Sequence, residues 1–153
     1  MGYIGNNEMM QKGRESKWYS VVMIIAIVQL LAYIVGFTLV IRFVTTGEGY
    51  FAATISVWTK IALMWAVTIT GMLWEKDVIN HYFLGKEFFW EDIGNLIAII
   101  THNVYFVVLY MGFSKQEIML VMLFAYVTYL FNFVQWVILG VKSYLRRKRL
   151  KVA

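Results

Sequence analysis

The side chains able to do chemistry in this sequence are few, and they stand where polar groups are costly. Lys60, Glu75, Glu91, Asp92, Asn95, His102, Thr128, Asn132 and Gln135 lie within or at the ends of long apolar stretches. A helical rotation of about 100° per residue puts Ser56, Lys60, Met64, Val67, Gly71 and Glu75 on one stripe. The same rotation brings Glu91, Asn95 and His102 within about 40° of one another, with Asp92 and Asn103 to one side. Thr128, Asn132 and Gln135 share a third face, with Tyr129 adjacent. Three polar stripes turned inward would enclose one polar cleft. Glu75 and Glu91 would enter it at one depth. Two acids in an apolar, aromatic-lined cleft take up different protonation states, which is the requirement of acid–base catalysis.

Each residue also has a plainer reading. Asn95, Asn132 and Gln135 serve equally well as hydrogen-bond glue between helices. Glu91 and Asp92 suit a helix N-terminus. Lys60 could be half of a structural pair. His102 is either a neutral buried histidine or a proton carrier or metal-centre ligand. The motifs of soluble enzymes (a P-loop, a Gly-x-Gly-x-x-Gly turn, a His-Glu-x-x-His helix) are absent from the sequence.

Such stripes need long apolar helices to carry them. Of the 153 residues, 61% are hydrophobic and 15% charged, with mean hydropathy +0.66; soluble domains run about 45–50% apolar and about 25% charged. Four windows, about 18–41, 50–74, 93–113 and 118–141, contain no charge except Lys60. Each reaches the roughly 20 residues that cross a hydrocarbon core. The pattern predicts an all-α integral membrane protein, a single four-helix domain over 1–153 with a basic tail over 142–153. The first window is too long for the apolar region of a signal peptide and is expected to stay attached. No stretch remains for a separate soluble catalytic domain, so any chemistry falls between the helices or at their ends. With no cysteine or proline in the chain, Cys-ligated metals, disulfides and proline kinks are excluded.

The net charge of +5 comes mainly from Lys142, Arg146, Arg147, Lys148, Arg149 and Lys151. A basic run directly after a span points to anionic lipid on the cytoplasmic side rather than to nucleic acid. With four spans the termini share a side. That side collects Lys12, Arg14, Lys17, Lys76, Lys86 and the tail, against Arg42 and Lys115 opposite, so the orientation is expected to be N-in and C-in. Residues 1–17 read as a frayed polar arm. The 77–90 connection, with Tyr82, Phe83, Phe88, Phe89 and Trp90, reads as a loop in the membrane interface. Ser114 and Glu117 have capping-box spacing.

An ordered set of motifs resembles the bacterial 2-vinyl bacteriochlorophyllide hydratases, also called chlorophyllide C3-vinyl hydratases. It comprises Thr46-Gly47-Glu48-Gly49-Tyr50; Ala53-Thr54-x-Ser56-Val57-x-x-Lys60; Thr70-Gly71-x-x-Trp74-Glu75-Lys76; Phe88-Phe89-Trp90-Glu91-Asp92; His102-x-x-Tyr105; and Ala125-Tyr126-x-Thr128-Tyr129-x-x-Asn132-x-x-Gln135. The departures are Asn103 in place of a threonine and Gly85-Lys86-Glu87 in place of a more apolar approach to Phe88.

The resemblance implies a hydro-lyase of bacteriochlorophyll synthesis, multi-pass in the bacterial inner membrane. It would add water to the C3-vinyl group of a chlorophyllide or bacteriochlorophyllide to give a 1-hydroxyethyl group. No cofactor is implied, since the magnesium belongs to the substrate, with His102 a candidate axial ligand to it. On this reading Glu91 donates the proton and Glu75 orients water, or the reverse, with Asp92 and Asn95 in support. A carboxyl among Trp74, Phe89 and Trp90 should be desolvated and hold its proton near neutrality. Lys60, Tyr105, Tyr129, Asn132 and Gln135 line the substrate site, and Lys76 and Lys86 face the substrate's propionate. The implied partners are this pigment and membrane lipid, with no nucleic acid and with room for a homo-oligomer. Two rivals are a chlorin-binding assembly protein that leaves the vinyl group unchanged and a small transporter subunit. A reporter fused after Ala153 is expected to be active only in its cytoplasmic form; periplasmic activity would reverse the assigned face.

Overall fold

The computed structural model describes residues 6–150, and the side chains of residues 6–8, 10, 132, 135, 136 and 139–150 lie outside the description. The expected contributions of Asn132, Gln135 and the basic tail fall on those side chains. The described residues form five helices: α1 Asn6–Glu15, α2 Trp18–Thr46, α3 Tyr50–Ile79, α4 Phe89–Tyr110 and α5 Lys115–Leu150. The all-α expectation holds, and α2, α3 and α4 are each long and apolar enough to cross a membrane.

The helices overrun the charge-poor windows at their ends. Helix α2 continues to Thr46 because the Thr45 and Thr46 hydroxyls donate back to the Ile41 and Arg42 carbonyls at 2.9 and 2.7 Å. Gly47, at φ 75°, then stops it by donating its N–H to the Phe43 carbonyl, a conformation cheap only without a Cβ. Helix α3 runs past Trp74 to a left-handed Asn80 at φ 59°. Helix α4 starts early enough to hold Glu91 and Asp92 in its first turn. The capping box is formed: Ser114 donates its N–H and hydroxyl to Glu117 at 2.8 and 2.6 Å. Those bonds hold the Glu117 carboxyl below the usual carboxylate range.

Helix α2 packs chiefly on α3, and α4 on α5; α5 also lies along α2, while α3 and α4 meet less extensively. The molecule is thus two helical hairpins facing each other, with short connections over 47–49 and 111–114 and a longer one over 80–88. On α2 the buried residues are Gln29, Tyr33, Gly36, Val40 and Phe43, an alternation of four and three that places one narrow seam inward. The Tyr126 hydroxyl of α5 approaches this seam at Gly36, where an added Cβ would collide with it. Ile24, Leu31, Phe51, Ile55, Phe124 and Phe131 face outward, as side chains do when lipid is the solvent.

One expectation is corrected. Residues 6–15 are helical and lie on α3 rather than forming a frayed arm. The Trp74 indole N–H donates to the Gly13 carbonyl at 2.9 Å, and the Ser16 hydroxyl to Asp77 at 2.8 Å. The arm has no apolar face to signal this docking. It is held by the Ser16 hydroxyl and by its backbone at Gly13, which lets the indole approach: an added Cβ would stand 2.9 Å from the ring. At the α2–α5 seam, Gly36→Ala is expected to cost about 1–3 kcal/mol by overpacking, read as a lower thermal midpoint in detergent; an unchanged midpoint would show that Tyr126 has room to move.

Candidate acid–base site

The last turns of α3 and the first turn of α4 run antiparallel and meet beneath the 80–88 connection. Glu75 is 7% exposed and Asp92 6%, and the two carboxyls are neighbours, close enough for a hydrogen bond once one of them is protonated. Two carboxylates cannot bond each other, since both only accept. The contact therefore needs a proton, which burial and mutual repulsion keep on the pair.

The surroundings decide which partner carries it. Asp92 accepts the Leu84 backbone N–H at 2.5 Å and stands in the first turn of α4, where the helix dipole favours negative charge. Glu75 Oε2 is buried with no hydrogen-bond partner among the described residues. Asp92 is thus suited to be the carboxylate and Glu75 the acid. Leu84 is held at φ 56°, a left-handed backbone that costs a leucine about 1–3 kcal/mol; its bond to Asp92 pins the loop over the pair.

The other residues expected at the site fall at different places. Glu91 is half-buried beside the pair and acts on Glu75 through its charge without bonding it. Phe89 and Trp90 are 41% and 70% exposed and pack on each other, so they face away from the carboxyls. Trp74 packs on Phe88, ring centroids 5.4 Å apart, and is committed to Gly13. Lys76 is half-buried, its ammonium over the Tyr82 ring at 4.9 Å, and Lys86 is exposed. One level deeper, Asn95 donates to the Thr68 hydroxyl at 3.0 Å, joining α4 to α3. Deeper still, Lys60 and His102 are fully buried beside Tyr129. Tyr105 is buried and accepts the Trp58 indole N–H at 3.2 Å, away from the carboxyls.

Sequence reasoning missed Thr68, Leu84 and Gly13. Thr68 lies seven residues, two helical turns, before Glu75 and was findable from that spacing. Leu84 and Gly13 act through backbone atoms and left no signal in residue type.

The fold is that of an all-helical membrane protein in which two buried acids meet where the hairpins join, a setting suited to acid–base chemistry. The family model for 2-vinyl bacteriochlorophyllide hydratase matches residues 6–142. The chain belongs to that family, in agreement with the resemblance of its motifs. A relative of that name from Rhodobacter capsulatus is 42% identical over 115 residues, 75% of this chain and 67% of the relative. Another, from Cereibacter sphaeroides, is 37% identical over 117 residues, 76% and 73% of the two chains. No solved structure matches the chain.

Infrared difference spectra in H₂O and D₂O should reveal a deuterium-sensitive protonated-carboxyl band near neutral pH. The band should disappear in Glu75→Gln and survive in Glu91→Gln. Its persistence in Glu75→Gln would remove the shared proton from this pair.

Proposed function

We propose that the chain is a hydro-lyase that adds water to the C3-vinyl group of a chlorophyllide or bacteriochlorophyllide, in a four-span bundle with both termini on the cytoplasmic side of the bacterial inner membrane. The observation that carries the reading is the buried Glu75–Asp92 contact in a chain whose family is named for this hydration. The fourth span is the 118–141 part of α5. The orientation is supported by the basic residues that crowd the α1, 80–88 and tail side.

The chemistry follows from the pair. The vinyl π electrons take the Glu75 proton at the terminal carbon, forming a C–H bond. The cation is left on the carbon attached to the ring and delocalises into the macrocycle. Water attacks that carbon and passes a proton to the Asp92 carboxylate, leaving the alcohol. One proton has gone to carbon and one has returned to the pair, now on Asp92 instead of Glu75. Transfer across the Glu75–Asp92 hydrogen bond restores the starting state, so no outside acid or reductant is consumed. Glu91, the proton donor on the sequence reading, is assigned here to electrostatic support of the cation, because it stands beside the pair without a bond to it. Lys76, half-buried at the same end, is assigned to the propionate of the unesterified pigment.

Purified protein incubated with a 3-vinyl chlorophyllide should yield a product heavier by one water in mass spectra. Glu75→Gln should lower turnover by about 10²–10⁴-fold, the usual worth of a general acid, with pigment binding retained. Pigment bound and recovered unchanged by the unsubstituted protein would favour the assembly-protein reading. Near-normal turnover in both Glu75→Gln and Asp92→Asn would move the chemistry elsewhere.

A further inference from the structure

Deep between the hairpins lies a second polar centre that the carboxyl chemistry does not use. Lys60 of α3 and His102 of α4 are both fully buried, and Lys60 Nζ and His102 Nε2 have no hydrogen-bond partner among the described residues. Lys60 Nζ sits over the Tyr129 ring at 3.2 Å from its centroid and faces Tyr33 at 5.6 Å. The aromatic faces attract its N–H groups weakly but leave those donors without an acceptor oxygen or nitrogen among the described residues. His102 Nδ1 is 2.8 Å from the Ala98 carbonyl, so Nδ1 carries the hydrogen and Nε2 presents a lone pair. Its ring packs on Tyr126 and on Tyr129, the same ring that lies beneath Lys60 Nζ. The Tyr126 hydroxyl is also buried without a partner among the described residues. Ser56, one turn from Lys60, already gives its O–H to the Ala53 carbonyl at 2.7 Å.

A donor, an acceptor and a hydroxyl, buried together, are complementary to one chemistry. We infer that an ordered water is bound between Lys60 and His102, accepting from Nζ and donating to Nε2, with the Tyr126 hydroxyl at its edge. An anion would meet the Nε2 lone pair, and a metal cation would find no carboxylate or second imidazole beside His102 among the described residues. Two or more polar partners are what an interior water requires. The site lies ten residues along α4 from Asp92, about 15 Å, and its occupancy does not depend on the hydratase reading. Its effect is positional: Lys60 belongs to the α2–α3 hairpin and His102 to the α4–α5 hairpin, so the water ties them where direct α3–α4 packing is sparse.

Water-edited solid-state NMR of the ¹⁵N-labelled full chain in lipid bilayers tests this directly. Magnetisation from bound water should reach both Lys60 Nζ and an unprotonated His102 Nε2. Absence of transfer at Nε2, or a protonated Nε2, would overturn the site. Thermal unfolding of Lys60→Met, His102→Phe and the double variant gives a separate reading. With a bridge, each single change lowers the midpoint and the double change lowers it by less than the sum, because the second removal takes away a group already stranded. A raised midpoint in either single variant, or plain additivity, would mean that the two nitrogens share nothing. Should a variant fail to fold, the spectrum of the unsubstituted chain decides.

Discussion

A polar group inside an apolar bundle must find a partner or lose its charge, and the facing of the two hairpins is organised by that constraint. Where the last turns of α3 reach the first turn of α4, Glu75 and Asp92 meet each other. One level in, Asn95 finds Thr68. At mid-depth Lys60 and His102 converge among tyrosines. All of these contacts join α3 to α4 or cross between hairpins, while the α2–α3 and α4–α5 interfaces are mostly apolar packing. Hydrocarbon surfaces glue each hairpin; polar pairs set how one hairpin faces the other. Lipid supplies little drive for association between apolar helices, so the few polar pairs carry much of the specificity.

The site owes its chemistry to the same constraint. An isolated buried carboxyl would simply stay neutral. Two in contact share one proton, and the Leu84 amide and helix dipole favour charge on one partner. The asymmetry that acid–base work needs therefore comes from backbone geometry as much as from residue type. The cost includes a leucine held in left-handed conformation, tolerated beside the functional carboxyl.

The long apolar helices, the capping box at Ser114 and the inward polar stripes of α3 and α4 were legible in the sequence, since each rests on residue type at fixed spacing. The partner of Glu75 was not. Asp92 lies off the Glu91–Asn95–His102 stripe, and only the length and path of the 80–88 connection bring it, rather than Glu91, against α3. The aromatic residues next to the acids were misleading for a related reason: neighbours along a helix point in different directions, so Phe89 and Trp90 turn outward while Asp92 turns in. Docking of α1 was hidden because its contacts use a backbone carbonyl, a missing side chain and a single serine hydroxyl.

The unequal lengths of the helices have a consequence for where water comes from. Helix α3 has 30 residues and α4 has 22, about 45 and about 33 Å, against a hydrocarbon core of about 30 Å. Helix α4 matches the core; α3 overshoots it and must tilt or protrude. Glu75 comes 25 residues after Tyr50, about 38 Å along α3, so the overhang carries it toward the headgroup layer while α1 and the 80–88 loop shelter it. On the proposed reading, the second reactant is drawn from that layer rather than through a channel. Bilayer thickness then becomes a working dimension of the enzyme: a thicker membrane would draw the acid pair away from its water, and a thinner one would leave it bathed.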